Sequence, residues 1–139
     1  MDEPYVKVPT FEIEVILSDQ AEELLKRDNE SVLVSILFSG VPLDKNLDEF
    51  SWNKYRELHL EWAKIELMEN RIAIFDNVKI SQTKFEYLED KDYTLDILVS
   101  TGRRSSKNNL ICVSDYRGRI SEISGRRITL KGKLISETL

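Results

Sequence analysis

The sequence predicts an antiparallel β-sandwich of about seven to eight strands with two short helices in the connections, an all-β or β-rich α+β fold. Two observations predict it: short runs alternate between apolar and polar side chains, and the links between them are short and rich in turn-forming residues. A helix does not follow each strand, which argues against a parallel α/β sheet. The 139 residues, 41% of them hydrophobic, suffice for one core, and we expect a single domain over residues 1–139.

The first strand and the first helix are adjacent in the sequence. Residues 11–17 place apolar side chains on one face and Glu12 and Glu14 on the other, as in a half-buried strand. Ser18 is a typical helix N-cap, and Asp28 and Asn29 end the helical pattern that follows it.

The next two segments differ in how clearly they can be interpreted. Residues 31–39 are almost continuously apolar, which predicts a central strand with both faces covered. Residues 54–70 fit a helix by their spacings of three and four, or a strand by their alternation, with a β-bulge before Ile65. We interpret them as a strand that forms a hairpin with residues 71–80, because the neighbouring segments are strands, and we place Trp62 in the core.

The rest of the chain continues the same pattern. Residues 81–89 begin with a capping serine and predict a second short helix. Residues 92–100 alternate as a strand, with Leu98 on its polar face. Residues 109–113 predict a short strand in which Cys112 is a small buried hydrophobe. Residues 120–125 fit a helical turn or a loop, and residues 127–136 form the last strand.

Composition argues against several classes of protein. No stretch approaches the roughly 18 uninterrupted apolar residues that a membrane span needs. The start of the chain, MDEPYVKVPTFEIE, carries acids where a secretory signal carries lysines and an apolar core, and the single cysteine cannot form an internal disulfide. We therefore expect a cytoplasmic protein with no membrane association.

Charge is distributed unevenly along the chain. The net charge is -5 at pH 7, but residues 1–90 hold 20 acids and 10 bases, whereas residues 91–139 hold 5 acids and 10 bases. The asymmetry marks an interaction surface if the two parts form separate faces, and it cancels if the fold interleaves them. The acidic total argues against nucleic acid as a partner.

Catalytic and metal chemistry find little support in the sequence. Cys112 and His59 are the only residues of their kinds, too few for a zinc site, and a Cys–His catalytic pair would have to be these two. The G-x-S-x-G motif of serine hydrolases is absent. Two acidic clusters match no calcium loop and are more simply solvated turns: Glu89 with Asp90 and Asp92, and Asp44 with Asp48 and Glu49. Phosphate-binding glycine motifs are absent. We predict no catalytic residue, no metal and no cofactor.

A polar, basic segment, GRRSSKNN at residues 102–109, lies between two predicted strands. Arginine forks bind phosphate or carboxylate with paired hydrogen bonds, and serine, asparagine and backbone N–H groups add neutral donors. The candidate residues for an anion or an acidic partner are Arg103, Arg104, Ser105, Ser106, Lys107 and Asn108. Because glycine and polar residues are typical of any exposed loop, a purely structural role stays open.

An acidic segment with large apolar side chains lies between the strands predicted at 31–39 and 54–70. Its candidate partner-binding residues are Asp44, Asp48, Glu49, Phe50 and Trp52. Aromatic side chains ringed by acids suit the binding of a basic protein. We therefore predict a non-catalytic protein–protein interaction module, either an inhibitor or immunity-type protein or an accessory protein. The alternative is a small-anion or acidic-ligand binding domain that uses residues 103–108.

Overall fold

The computed structural model describes residues 4–43 and 57–138. The strands in these ranges are β1 (Tyr5–Lys7), β2 (Phe11–Leu17), β3 (Val32–Gly40), β4 (Leu58–Leu67), β5 (Ile72–Phe75), β6 (Lys79–Ser81), β7 (Thr94–Thr101), β8 (Ile111–Val113), β9 (Tyr116–Arg119) and β10 (Arg127–Leu134). The helices are α1 (Asp19–Arg27), α2 (Gln82–Glu86) and α3 (Ile120–Ile123), and a 3-10 helix covers Ile135–Thr138. The predicted β-rich fold is confirmed.

Two four-stranded sheets make up most of the fold. The β2 sheet has the strand order β5-β2-β10-β8, and the β3 sheet has the order β4-β3-β7-β9. Strands β1 and β6 form a small third sheet. The pairs are antiparallel except for β2 and β10, which run parallel with Arg127 opposite Glu12.

The two large sheets pack face to face over a common core. The ring of Phe11 in β2 stacks on Phe75 at 5.3 Å and meets Phe38 in β3 edge-on at 6.3 Å between centroids. Phe38 in turn meets Tyr93 edge-on at 6.2 Å. These four side chains are almost completely buried, and such aromatic pairs add to the stability gained from apolar burial.

Helix α1 links the two sheets, because it follows β2 and precedes β3. The Ser18 hydroxyl accepts a hydrogen bond from the Ala21 N–H at 3.2 Å, which confirms the predicted N-cap. Ala21 and Leu25 are buried on the inner side of the helix. None of the helices in the described part of the chain is long and apolar enough to cross a membrane.

Strand β4 (Leu58–Leu67) confirms the strand interpretation for the described part of residues 54–70 but corrects its details. The register with β3 shifts at Leu60, which is the extra residue of a bulge, earlier in the strand than predicted. Trp62 consequently lies opposite Leu37 on the outer face and is 40% exposed. The prediction that Trp62 belongs to the core is therefore wrong.

The hairpin predicted between residues 54–70 and 71–80 is also wrong. Strand β4 pairs with β3, whereas β5 pairs with β2, so the chain crosses from one sheet to the other between them. Arg71 lies at this crossing, where it donates a hydrogen bond to the Met68 carbonyl at 2.6 Å and forms an ion pair with Glu22 at 2.8 Å.

Candidate functional site

The basic loop at residues 103–108 surrounds a carboxylate of its own chain. Glu30, which is only 2% exposed, accepts hydrogen bonds from the backbone N–H groups of Arg104 and Ser105, each at 2.9 Å. The Ser105 hydroxyl and the Ser31 N–H add two more, at 2.9 and 2.8 Å. Several donors of the loop are therefore occupied by a carboxylate of the same chain, that of Glu30.

A second carboxylate holds the side chain of Arg104. The guanidinium forms a two-pronged ion pair with Glu66, in which Nε and Nη2 each lie 2.9 Å from a carboxylate oxygen. The Ser31 hydroxyl donates a further hydrogen bond to Glu66 at 2.6 Å. Arg104, and after it Ser31, lowers the pKa of Glu66 to about 2. Burial raises the pKa of Glu30, but the hydrogen bonds from Ser105, Arg104 and Ser31 bring it below its ordinary value.

The remaining residues of the basic loop are less engaged. The Ser106 hydroxyl accepts a hydrogen bond from the Asn108 N–H at 3.2 Å, and Arg103 adopts a positive φ of 60°. None of the ion pairs formed within the described ranges involves Arg103 or Lys107. Binding of an external anion by the loop stays a prediction, and it would rest mainly on these two exposed cations.

The acidic segment cannot be placed in the same way. Asp44, Asp48, Glu49, Phe50 and Trp52 lie outside the described residues. In the sequence, this segment joins β3 to β4. Its predicted role in binding a basic partner therefore stays a prediction.

The other acidic cluster has structural partners. Asp90 forms an ion pair with Arg119 at 2.6 Å and accepts the N–H of Asp92 at 2.9 Å. Asp92 accepts both the N–H and the hydroxyl of Ser121, at 2.9 and 2.6 Å. These oxygens tie the turn before β7 to the chain around α3.

The acidic and basic parts of the sequence interleave in the fold. Ion pairs join acids of residues 1–90 to arginines of residues 91–139 in four places: Glu12–Arg127, Glu57–Arg117, Glu66–Arg104 and Asp90–Arg119. Much of the charge asymmetry along the chain is thus balanced within the molecule. Of the two alternatives, interleaving of the acidic and basic parts describes the structure better than two separate charged faces.

The lone cysteine and the lone histidine lie far apart in the topology. Cys112 is exposed on β8, opposite Lys133 of β10, so the prediction that it is buried is wrong. The error arises because its strand turns Cys112 to the outer face of the β2 sheet, where charged side chains lie. His59 is half-buried on β4, at the edge of the other sheet. Its pKa is lowered by partial burial first and by Lys84 second, with Glu61 opposing.

The outer face of the β3 sheet presents an apolar surface that we call the Trp62 face, formed by Leu33, Leu37, Trp62 and Leu98. Trp62 lies opposite Leu37, and Leu98 lies opposite Ser35, between the two leucines on β3. Trp62 is 40% and Leu98 is 50% exposed, while both β3 leucines are half-buried. Large apolar side chains thus share one face across three neighbouring strands.

Among the described residues, the outer face of the β2 sheet also exposes isoleucines, but it places charged side chains beside them. There Ile74 lies opposite Glu12, and Ile16 lies opposite Lys131. The central strands of that sheet therefore interrupt the apolar side chains with charges. In the β3 sheet, the outward residues Leu33, Ser35 and Leu37 of β3 carry no charge.

Two arginine–carboxylate networks border the Trp62 face. At one end, Arg117 forms ion pairs with Glu57 and with Asp96, which lies opposite Leu37. At the other end, Arg104 holds Glu66, which lies opposite Leu33. The structure thus brings Arg104, a residue predicted from the basic loop, to the border of this face.

Sequence reasoning missed the Trp62 face because the bulge position decides which way Trp62 points. One signal was available, since the alternation of residues 92–100 placed Leu98 on the outward face. Comparison with protein-family models, with curated proteins and with solved structures finds no match for this chain. A functional proposal therefore rests on the chain's own residues.

Proposed function

We propose that this protein is a non-catalytic recognition module that binds another protein through the Trp62 face. The exposure of Trp62 and Leu98 on one sheet face, across a central strand without charge, is the observation that supports it. Apolar and aromatic anchors surrounded by a polar rim are the usual anatomy of a protein–protein interface.

The charged side chains that border the Trp62 face are already fixed by ion pairs within the protein. Arg117 is fixed between Glu57 and Asp96, and Arg104 is fixed by Glu66. Side chains that are ordered before binding lose less conformational entropy when a partner arrives. The networks therefore favour a preformed binding surface, in which the exposed apolar groups adjoin Lys64, whose ammonium lies over the Trp62 ring at 5.4 Å.

The proposed partner is a basic protein, and the module acts as an inhibitor, an immunity-type protein or an accessory protein. Support comes from the net charge of -5 and from the acidic segment with Asp44, Asp48 and Glu49. This segment joins the strands that carry Leu37 and Trp62. Opposite charges on the two proteins would speed their encounter more than they would strengthen the final complex.

The test is co-purification from the source cells followed by binding assays with the retained protein. We expect Leu98→Asp to weaken binding at least about tenfold, because it places a charge within the apolar face. The matched control is Ile16→Asp, which introduces the same charge at a similarly exposed isoleucine on the other sheet. Equal effects of the two substitutions, with both variants folded by circular dichroism, would exclude the Trp62 face as the binding surface.

The charge of the partner is tested separately. We expect Asp48→Lys combined with Glu49→Lys to slow association with a basic partner and to reduce the salt dependence of its rate. An unchanged association rate would reject the basic partner while leaving recognition by the Trp62 face in place.

A further inference from the structure

Strand β4 is the edge strand of the β3 sheet, and in the described part of the chain no further strand is hydrogen-bonded to its other side. Within residues 4–43 and 57–138, β4 pairs only with β3. A groove of about 510 Å³ runs along the other side, between residues 61–65 of β4 and residues 74–79 around β5 and β6. An open edge of this kind is a template for pairing with a further strand.

The backbone of β4 shows which residues would pair there. The N–H of Trp62 donates to the carboxylate of Glu61 at 2.8 Å, which places this N–H on the side away from β3. Backbone groups alternate between the two sides of a strand, so those of Lys64 and Glu66 point the same way. The side chains of these three residues are exposed on the outer face.

The order of these side chains is self-complementary. If a second β4 runs antiparallel with Lys64 opposite Glu66 of the other copy, the two-fold symmetry creates this ion pair twice. The same register brings Trp62 opposite Met68 of the other copy, and both side chains are exposed in the single chain. The neighbouring registers that keep the same hydrogen-bonding residues place Lys64 opposite Lys64, or Glu66 opposite Glu66.

We propose that β4 pairs antiparallel with β4 of a second copy of this chain, with Lys64 of each opposite Glu66 of the other. On pairing, the hydrogen bond from the Trp62 N–H to the carboxylate of Glu61 breaks. The Trp62 N–H then donates to a backbone carbonyl of the second copy. The two β3 sheets then form one continuous sheet of eight strands, with both Trp62 faces on the same side. The pairing brings Trp62 against Met68 of the other copy, whereas Leu98 lies on β7, two strands away from the pairing edge, so the Leu98 variant tests the proposed partner separately.

The first test is the mass in solution by light scattering and sedimentation over a range of concentrations. The protein is expected to form a dimer, and Lys64→Glu is expected to raise its dissociation constant by about tenfold or more, since it places like charges opposite each other twice. The matched control is Lys131→Glu, which makes the same charge change on β10 inside the other sheet. A monomer at every concentration, or equal effects of both substitutions, would overturn the proposal.

The second test fixes the register. In the proposed dimer, Ile65 lies opposite Ile65 of the other copy at a pair without hydrogen bonds, where the Cα atoms are close enough for a disulfide. In a Cys112→Ser background, Ile65→Cys is expected to give a disulfide-linked dimer under mild oxidation, whereas Ala63→Cys is not. Equal cross-linking at both positions, or none at Ile65→Cys, would reject this register. If the unaltered protein is a monomer at every concentration but still binds its partner through the Trp62 face, this inference alone is contradicted.

Discussion

Glu30 and Ser105 are separated by 75 positions in the sequence and are joined by two hydrogen bonds of 2.9 Å, from the backbone N–H and from the hydroxyl of Ser105. The relationship explains why the basic loop looks like an anion site in the sequence. Its donors are arranged around a carboxylate, but the carboxylate belongs to the segment between α1 and β3. The loop thereby ties the end of α1 to the end of β7.

We expect Glu30→Ala to lower the free energy of unfolding by about 3 kcal/mol, because it removes an almost fully buried carboxylate and leaves several donors without their acceptor. Urea unfolding measures this effect, and hydrogen exchange should accelerate at the N–H groups of Arg104 and Ser105. The control Glu23→Ala, on the exposed side of α1, should change stability by no more than about 0.5 kcal/mol. Wild-type stability of Glu30→Ala would show that the loop does not depend on this carboxylate.

Because Glu66 forms an ion pair with Arg104, we expect the folded protein to lose stability at acidic pH. Its pKa in the folded protein is about 2, below the ordinary value of 4.5, so its stabilising effect is complete above about pH 4.5 and disappears as the pH falls toward 2. Melting temperatures of wild type and Glu66→Gln should therefore differ at pH 6 and converge near pH 2. Arg104→Gln removes the principal partner and should show the same convergence. A difference that stays constant from pH 6 to pH 2 would contradict the assignment.

Gly102 allows the basic loop to approach β3 closely. A Cβ atom at this position would lie 1.9 Å from the Ser31 hydroxyl oxygen and 2.7 Å from a carboxylate oxygen of Glu66. Gly102→Ala should thus displace Ser31 from Glu66 and destabilise the fold by about 2 kcal/mol.

The same substitution should be milder in a Ser31→Ala background, because the hydroxyl oxygen is then missing and the next contact, at 2.7 Å, is a Glu66 carboxylate oxygen at the end of a flexible side chain. A double-mutant cycle measured by urea unfolding should give a coupling energy of about 1 kcal/mol. Simple additivity of the two substitutions would indicate that strain at Gly102 arises elsewhere.

The periodicity of the sequence predicted the strands well because each strand has one face on the core. The alternation in residues 11–17 and 92–100 corresponds to β2 and β7, and Ser18 caps α1 as expected. Which strands pair is a different question, since pairing depends on contacts distant in the sequence. The crossing of the chain between β4 and β5 and the parallel pair of β2 and β10 leave no local signal.

The candidate site was harder to predict for the same reason. The sequence indicated donors for an anion in the basic loop, but it did not indicate Glu30 and Glu66, the carboxylates that accept from Arg104 and Ser105, because they are remote in sequence. The orientation of Trp62 depends on a single extra residue, Leu60, because one residue of shift turns each following side chain to the other face.

Strand β10 occupies an interior position in its sheet, between β2 and β8, although 115 residues separate Arg127 from its partner Glu12. During synthesis, the early strand β2 must wait for residues 127–134 to leave the ribosome before it gains this neighbour. Pairings over such sequence distances slow folding, because a long loop must close before they form. Until then, the hydrogen-bonding groups along one side of β2 are open to incorrect pairing with other nascent chains. The yield of native protein should consequently depend on crowding and temperature during expression more than the stability of the finished fold would suggest.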